Sequence, residues 1–132
     1  MTKDQTFRTP VKLKYQLIKN QLAFKGPSHL VLHVTNRCNL QCRTCFINTN
    51  ATARAEEMTT DDIRRISGHL KNLIFVDIGG GEPFLREDMV DICTAIETRY
   101  LAIPTNGFDP EHITGTTRAI LKKIRAPLTL SV

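Results

Sequence analysis

Residues 29–45 read HLVLHVTNRCNLQCRTC, an apolar, branched run followed almost at once by three cysteines, Cys38, Cys42 and Cys45. The run His29 to Thr35 is short and apolar on both faces, which predicts a strand of a parallel sheet buried on both sides. The cysteines follow at offsets of four and three, placing three thiols on one tight loop at the C-terminal end of that strand. Two thiols clamp zinc poorly, and four close a structural zinc or iron–sulfur site completely. Three leave one corner of a metal centre open to another ligand. A three-cysteine zinc site completed by His29 or His33 is the other arrangement this stretch allows. A disulfide framework is not expected, because the start MTKDQTFRTP lacks the apolar region of a signal peptide.

Composition narrows the class. With 41% hydrophobic and 23% charged residues in 132, the chain can bury the core of one domain. The formal net charge of +5 is concentrated at the N-terminus, where six basic residues (Lys3, Arg8, Lys12, Lys14, Lys19 and Lys25) face the single acid Asp4. The remaining 12 basic and 12 acidic residues cancel. The positive charge therefore belongs to an extension over 1–27, read as a basic helix ended by Gly26-Pro27, and not to a groove across the domain at 28–132. Aromatics make up 6% and tryptophan is absent, so a stacking platform for nucleic acid is not expected. No apolar run reaches the ~18 residues of a membrane span. The chain reads as cytoplasmic, in a reducing setting.

Outward from the cysteines the chain repeats one unit. Thr59 or Thr60 is positioned to cap a helix with Asp61 and Asp62 in its first turn and Ile63, Ile66 and Leu70 as its inner stripe. LIFVDI (73–78) predicts a second strand, running into Gly79-Gly80-Gly81-Glu82-Pro83. Met89, Val90, Ile92, Cys93 and Ile96 form a second helical stripe, on which Cys93 reads as a core thiol. YLAIP (100–104) predicts a third strand running into Thr105-Asn106-Gly107. Asp109 as cap and Pro110 at the first position open a third helix, and LTLSV (128–132) predicts a fourth strand. Strand and helix thus alternate at intervals of roughly 30 residues, which implies a parallel sheet with right-handed crossovers. His69 and His112 read as helix-surface residues. Three unusual runs fall at the C-terminal ends of strands, the edge at which parallel α/β sheets build their sites.

Consecutive glycines let backbone approach backbone or ligand with no Cβ in the way. The run is not a phosphate loop, since no Gly-Lys-Ser/Thr follows it. Together, CNLQCRTC, Gly80-Gly81-Glu82-Pro83 and Thr105-Asn106-Gly107 resemble the CxxxCxxC, GGEP and TNG motifs of the radical S-adenosylmethionine (radical SAM) superfamily. In style they are similar to its branch around molybdenum-cofactor protein A and the peptide- and haem-modifying SPASM-type enzymes. The resemblance covers about His29 to Val132. It implies that Cys38, Cys42 and Cys45 hold a [4Fe-4S] cluster whose fourth iron is chelated by the amino and carboxylate groups of S-adenosylmethionine. It places Gly80, Gly81, Glu82, Pro83, Thr105, Asn106 and Ser131 around that cofactor. It further implies reductive cleavage to a 5′-deoxyadenosyl radical that takes hydrogen from a substrate, an electron donor such as flavodoxin or ferredoxin, and a small-molecule or peptide substrate. The fold it implies is α/β, the N-terminal part of a partial (βα)6 TIM-like barrel truncated after about four strands. Thr44 departs from the pattern, standing where the family usually has an aromatic residue. A non-catalytic iron–sulfur remnant or zinc-binding module is the competing expectation.

Overall fold

The computed structural model describes residues 26–47, 56–70 and 72–132, together with Tyr15 and Ile18. The basic helix expected over 1–27 lies outside the described residues, except that Tyr15 and Ile18 are helical and exposed. From residue 26 onward the order is strand β1 (His29–Thr35), helix α1 (Thr60–His69), β2 (Phe75–Gly80), a 3-10 turn (Pro83–Leu85), α2 (Met89–Ala95), β3 (Tyr100–Pro104), α3 (Pro110–Lys123) and β4 (Leu128–Ser131). The four strands form one parallel sheet in chain order, β1-β2-β3-β4. This is the expected α/β architecture, a four-strand portion of a barrel-like βα repeat.

Local chemistry accounts for the element ends. Thr59 is the N-cap of α1, and a reciprocal capping box joins its side chain to the Asp62 backbone N–H and the Asp62 carboxylate to its own. Asp109 caps α3 by accepting from the His112 N–H, with Pro110 at the first helical position. Lys122 and Lys123 close that helix at its negative end.

The expectation that β1 is buried on both faces is corrected. Alternate residues Leu32 and Val34, Val76 and Ile78, and Leu101 and Ile103 point to one face and are buried against Ile63, Met89, Ile92, Ile113 and Ile120. The opposite face is open: Val31 is 58% exposed, and His29 and His33 beside it are exposed too. Among the described residues this face carries the pairing of His29 with Asp77, the edge-on packing of His29 against Phe75 at 6.2 Å and the stacking of Phe75 on Tyr100 at 5.2 Å. The described helices α1, α2 and α3 pack on the other side, so among the described residues β1 has one dry face and one exposed face.

The second correction concerns β2. Its expected span of 73–78 moves to Phe75–Gly80, because Gly79 and Gly80 pair with His33 and Thr35 rather than leaving the sheet. The register is irregular there, between His33 and Thr35. Gly80 has φ +129°, a conformation open to glycine.

Candidate functional site

Three runs meet at the C-terminal edge of the sheet, and backbone contacts join them. Gly81 N–H donates to the Thr35 carbonyl at 2.8 Å and Glu82 N–H to the Arg37 carbonyl at 2.8 Å, so the glycine run is seated against the lead-in to the cysteine loop. A Cβ on Gly80 would lie 2.0 Å from the Thr35 oxygen, and one on Gly81 would lie 2.1 Å from the Arg37 oxygen. These glycines are therefore required first by backbone packing. Thr105 N–H donates to the Ser131 carbonyl at 2.9 Å, which brings the fourth strand to the same edge.

Glu82 is only 3% exposed, and its carboxylate joins two of the runs. Oε1 accepts from the Phe84 N–H at 3.1 Å and the Thr105 hydroxyl at 3.0 Å, and Oε2 accepts from the Asn106 N–H at 2.7 Å. Several hydrogen bonds from neutral donors are what a buried carboxylate needs in place of water. Pro83, buried, starts the 3-10 turn that leads away from the edge. Asn106 reaches back to the cysteine loop, its side-chain Nδ2 lying 2.7 Å from Asn39 Oδ1 and 3.7 Å from the Cys38 sulfur. Ser131 is exposed at the end of β4, paired with Pro104.

The cysteine loop itself is a surface turn in which Cys45 N–H donates to the Cys42 carbonyl at 3.1 Å. Cys38 is half-buried, Cys42 and Cys45 are exposed, and all three are free thiols. The Cys38 sulfur accepts from the Leu40 N–H at 3.4 Å. Among the described residues no three His, Cys, Asp or Glu side chains are gathered to hold a metal ion, so the thiols share a loop without converging. Thiols converge as thiolates around a cation, whose binding free energy then orders the loop. The donor set fits an iron–sulfur cluster: soft sulfur ligands on an accessible loop, one of them already accepting backbone and side-chain N–H groups. A zinc site with His29 fits poorly, since that ring is held 2.5 Å from Asp77 at the opposite end of β1, a strand length of roughly 20 Å from the loop. Cys93 sits in the core, where burial pushes its thiol up to about 12, so it stays protonated and inert.

Beneath this edge lies a charged network that sequence reasoning missed. The Arg86 side chain is 6% exposed. It donates to the backbone carbonyls of Val34 at 3.1 Å and Met58 at 3.0 Å, and forks onto both oxygens of Asp88. Glu57, its side chain 5% exposed, lies 3.4 Å from Arg86 and accepts from Arg37 Nε at 2.8 Å and from the Thr35 hydroxyl. Burial alone would raise the Glu57 pKa, but the hydrogen bonds from Arg37 and Thr35 and the two guanidinium charges outweigh it and leave it lowered. The Asp88 pKa is also lowered, first by the Arg86 hydrogen bonds. Arg37 immediately precedes Cys38, so this network fixes the root of the cysteine loop. Its only trace in the sequence is the charged pattern Arg86-Glu87-Asp88 interrupting an apolar stretch.

A parallel sheet carrying a three-cysteine loop, a glycine-packed turn and an asparagine at its C-terminal edge is an α/β scaffold with its unusual residues at the edge where such sheets build sites. The sequence profile of the Radical SAM superfamily matches residues 32–127, and the chain belongs to that family. The family uses a [4Fe-4S] cluster and S-adenosylmethionine. The chain is 32% identical over 89 residues to 7,8-dihydro-6-hydroxymethylpterin dimethyltransferase of Methanocaldococcus jannaschii, a match covering 62% of this chain and 18% of that protein. It is 38% identical over 89 residues to GTP 3',8-cyclase of Pectobacterium atrosepticum, covering 61% of this chain and 27% of that one. Among solved structures, Streptococcus suis SuiB bound to S-adenosylmethionine is similar with a TM-score of 0.56 and 25% identity, over 90% of this chain and 26% of that one. SuiB bound to its precursor peptide SuiA aligns with a TM-score of 0.60 at 24% identity, over 90% and 27%. The matched part is thus about a fifth to a quarter of each relative's length. Among the described residues no helix is long and apolar enough to cross a membrane.

Proposed function

We propose that this chain carries a [4Fe-4S] cluster on Cys38, Cys42 and Cys45 and acts in reductive radical chemistry on S-adenosylmethionine in the cytoplasm. Held by Cys38, Cys42 and Cys45, the cluster would supply the electron for reductive cleavage of the sulfonium, releasing methionine and leaving a 5′-deoxyadenosyl radical that would take hydrogen from a small-molecule or peptide substrate. The observation that carries this reading is that the cysteine loop, Gly80 to Pro83 and Thr105-Asn106 meet at one sheet edge, inside a chain that belongs to this family. The chain's own share is structural and electrostatic. Arg37 and Glu57 anchor the root of the cysteine loop, Gly80 and Gly81 bring the second run against it, and Glu82 holds the third. The residues proposed to contact S-adenosylmethionine are Gly80 to Pro83, Thr105, Asn106 and Ser131. The proposed electron donor is a flavodoxin or ferredoxin.

The test is anaerobic reconstitution of the full chain. About four irons and four sulfides per chain are expected, with a reduced-state electron paramagnetic resonance (EPR) signal that changes when S-adenosylmethionine is added. Replacing Cys38, Cys42 or Cys45 by Ala should abolish iron uptake, whereas Cys93→Ala should retain it. Tight binding of one zinc with no sulfide would refute the reading in favour of a zinc module.

A further inference from the structure

The side chain of Asn106 makes bonds that an ordinary turn asparagine has no need of. Its Oδ1 accepts from the Phe108 N–H at 2.9 Å, the two-residue span of an Asx turn. That bond identifies the oxygen end of the amide, so the end facing the cysteine loop is the donor, Nδ2. Nδ2 has two hydrogens and two acceptors in reach, Asn39 Oδ1 at 2.7 Å and the Cys38 sulfur at 3.7 Å. The backbone of Asn106 is in turn fixed by the buried Glu82, which accepts its N–H at 2.7 Å and the neighbouring Thr105 hydroxyl at 3.0 Å. A carboxylate that is 3% exposed and fully engaged is a rigid support. Cys38 is also the half-buried cysteine of the three, so a hydrogen bond to it is less diluted by water than one to Cys42 or Cys45.

We infer that Asn106 is a positioning residue for the metal centre: its amide, aimed by Glu82 and the Phe108 N–H, donates to the Cys38 sulfur and raises the reduction potential of a cluster held there. The inference rests on the cluster reading above. Its physical basis is that a reduced cluster carries one more negative charge than an oxidised one, much of it on sulfur. A donor aimed at that sulfur therefore stabilises the reduced form more, and hydrogen bonds to sulfur are among the features that set such potentials.

The experiment is a potentiometric titration of the reconstituted full chain, followed by EPR, with wild type, Asn106→Ser and Asn106→Asp. Serine can keep the turn by accepting from the Phe108 N–H while losing the amide, and it adds no charge. The serine variant is expected to hold the wild-type complement of iron and sulfide, to reduce at a more negative potential, and to lose an exchangeable-proton coupling in electron–nuclear double resonance. The aspartate variant, with a charge facing the same sulfur, should shift further in the same direction. An iron-loaded serine variant with unchanged potential and unchanged proton couplings would overturn the inference alone. A wild-type chain that takes up no cluster would overturn it together with the proposed function. Asn39→Ala provides a second route that leaves Asn106 untouched. With the competing acceptor gone, the amide has the sulfur as its remaining partner and the potential should rise, so a fall or no change would count against the inference.

Discussion

Replacing Gly81 by Ala should destabilise the protein and loosen the cysteine loop, although the added methyl reaches no space in which a ligand would sit. Its Cβ would lie 2.1 Å from the Arg37 oxygen and 2.6 Å from the Arg37 carbonyl carbon, both backbone atoms that have no rotamer to escape into. Ordinary contact needs about 3.5 Å, so the two segments must part by about 1 Å or more. Two hydrogen bonds span that junction, Gly81 N–H to Thr35 O and Glu82 N–H to Arg37 O, each 2.8 Å long. Losing both costs about 2 kcal/mol, which for a domain of this size lowers the melting temperature by about 7 °C. Gly79→Ala is the internal control. There the new Cβ would meet the His33 ring at 3.7 Å and the Pro104 ring at 3.8 Å, ordinary contacts, and the melt should move little. Thermal unfolding of the metal-free protein, followed by circular dichroism, reads the difference directly. Iron retention after reconstitution reads its effect on the loop, which should fall for Gly81→Ala and hold for Gly79→Ala. Equal melting temperatures for the two variants would refute the backbone-packing account of Gly81.

Two further predictions concern the buried charges. Arg86→Leu leaves Glu57, Asp88 and the carbonyls of Val34 and Met58 short of a donor, and should cost about 3–5 kcal/mol in denaturant unfolding; a loss below ~1 kcal/mol would mean that water replaces the guanidinium freely. Glu57 and Asp88 have lowered folded-state pKa values, from ordinary values of 4.5 and 3.8, so their contribution is present above those values and is lost as pH falls through the lowered ones. Stability should therefore hold from neutrality down to about pH 5 and decline below it, with a shallower decline in Glu57→Gln, as measured by urea midpoints across pH; a decline of the same steepness in that variant would remove Glu57 from the account.

Much of the fold was legible because local chemistry and long-range packing agree over most of the chain. β1 and β3 match their expected spans, and the Thr59 and Asp109 caps fall where oxygen side chains precede an apolar stripe. Cys93 was read as core from helical spacing alone, and it is buried. What escaped the sequence depends on partners far along the chain. Glycines ordinarily end strands, yet Gly79 and Gly80 stay in β2 because β1 offers them pairing partners more than forty residues away. Apolar content could not show that Val31 faces outward, since that depends on which side the helices pack. Glu82 spends its carboxylate on Phe84, Thr105 and Asn106, and no spacing rule announces bonds across 24 residues. His112, read as a surface residue, is exposed, and its Nε2 lies 3.0 Å from the Phe84 carbonyl.

The strands lie side by side in the order in which they occur, which leaves three crossovers of unequal length. The crossover from β1 to β2 runs through 36–74 and holds the cysteine loop, whereas those from β2 to β3 and from β3 to β4 run through 81–99 and 105–127. Closure entropy grows only with the logarithm of length, so a crossover twice as long costs about 0.6 kcal/mol more. The chain thus places its cysteine loop in the connection where extra residues disturb the sheet least. That latitude stops at Glu57 and Met58, which Arg37 and Arg86 hold, just as Glu82 and Asn106 must meet across the shorter crossovers.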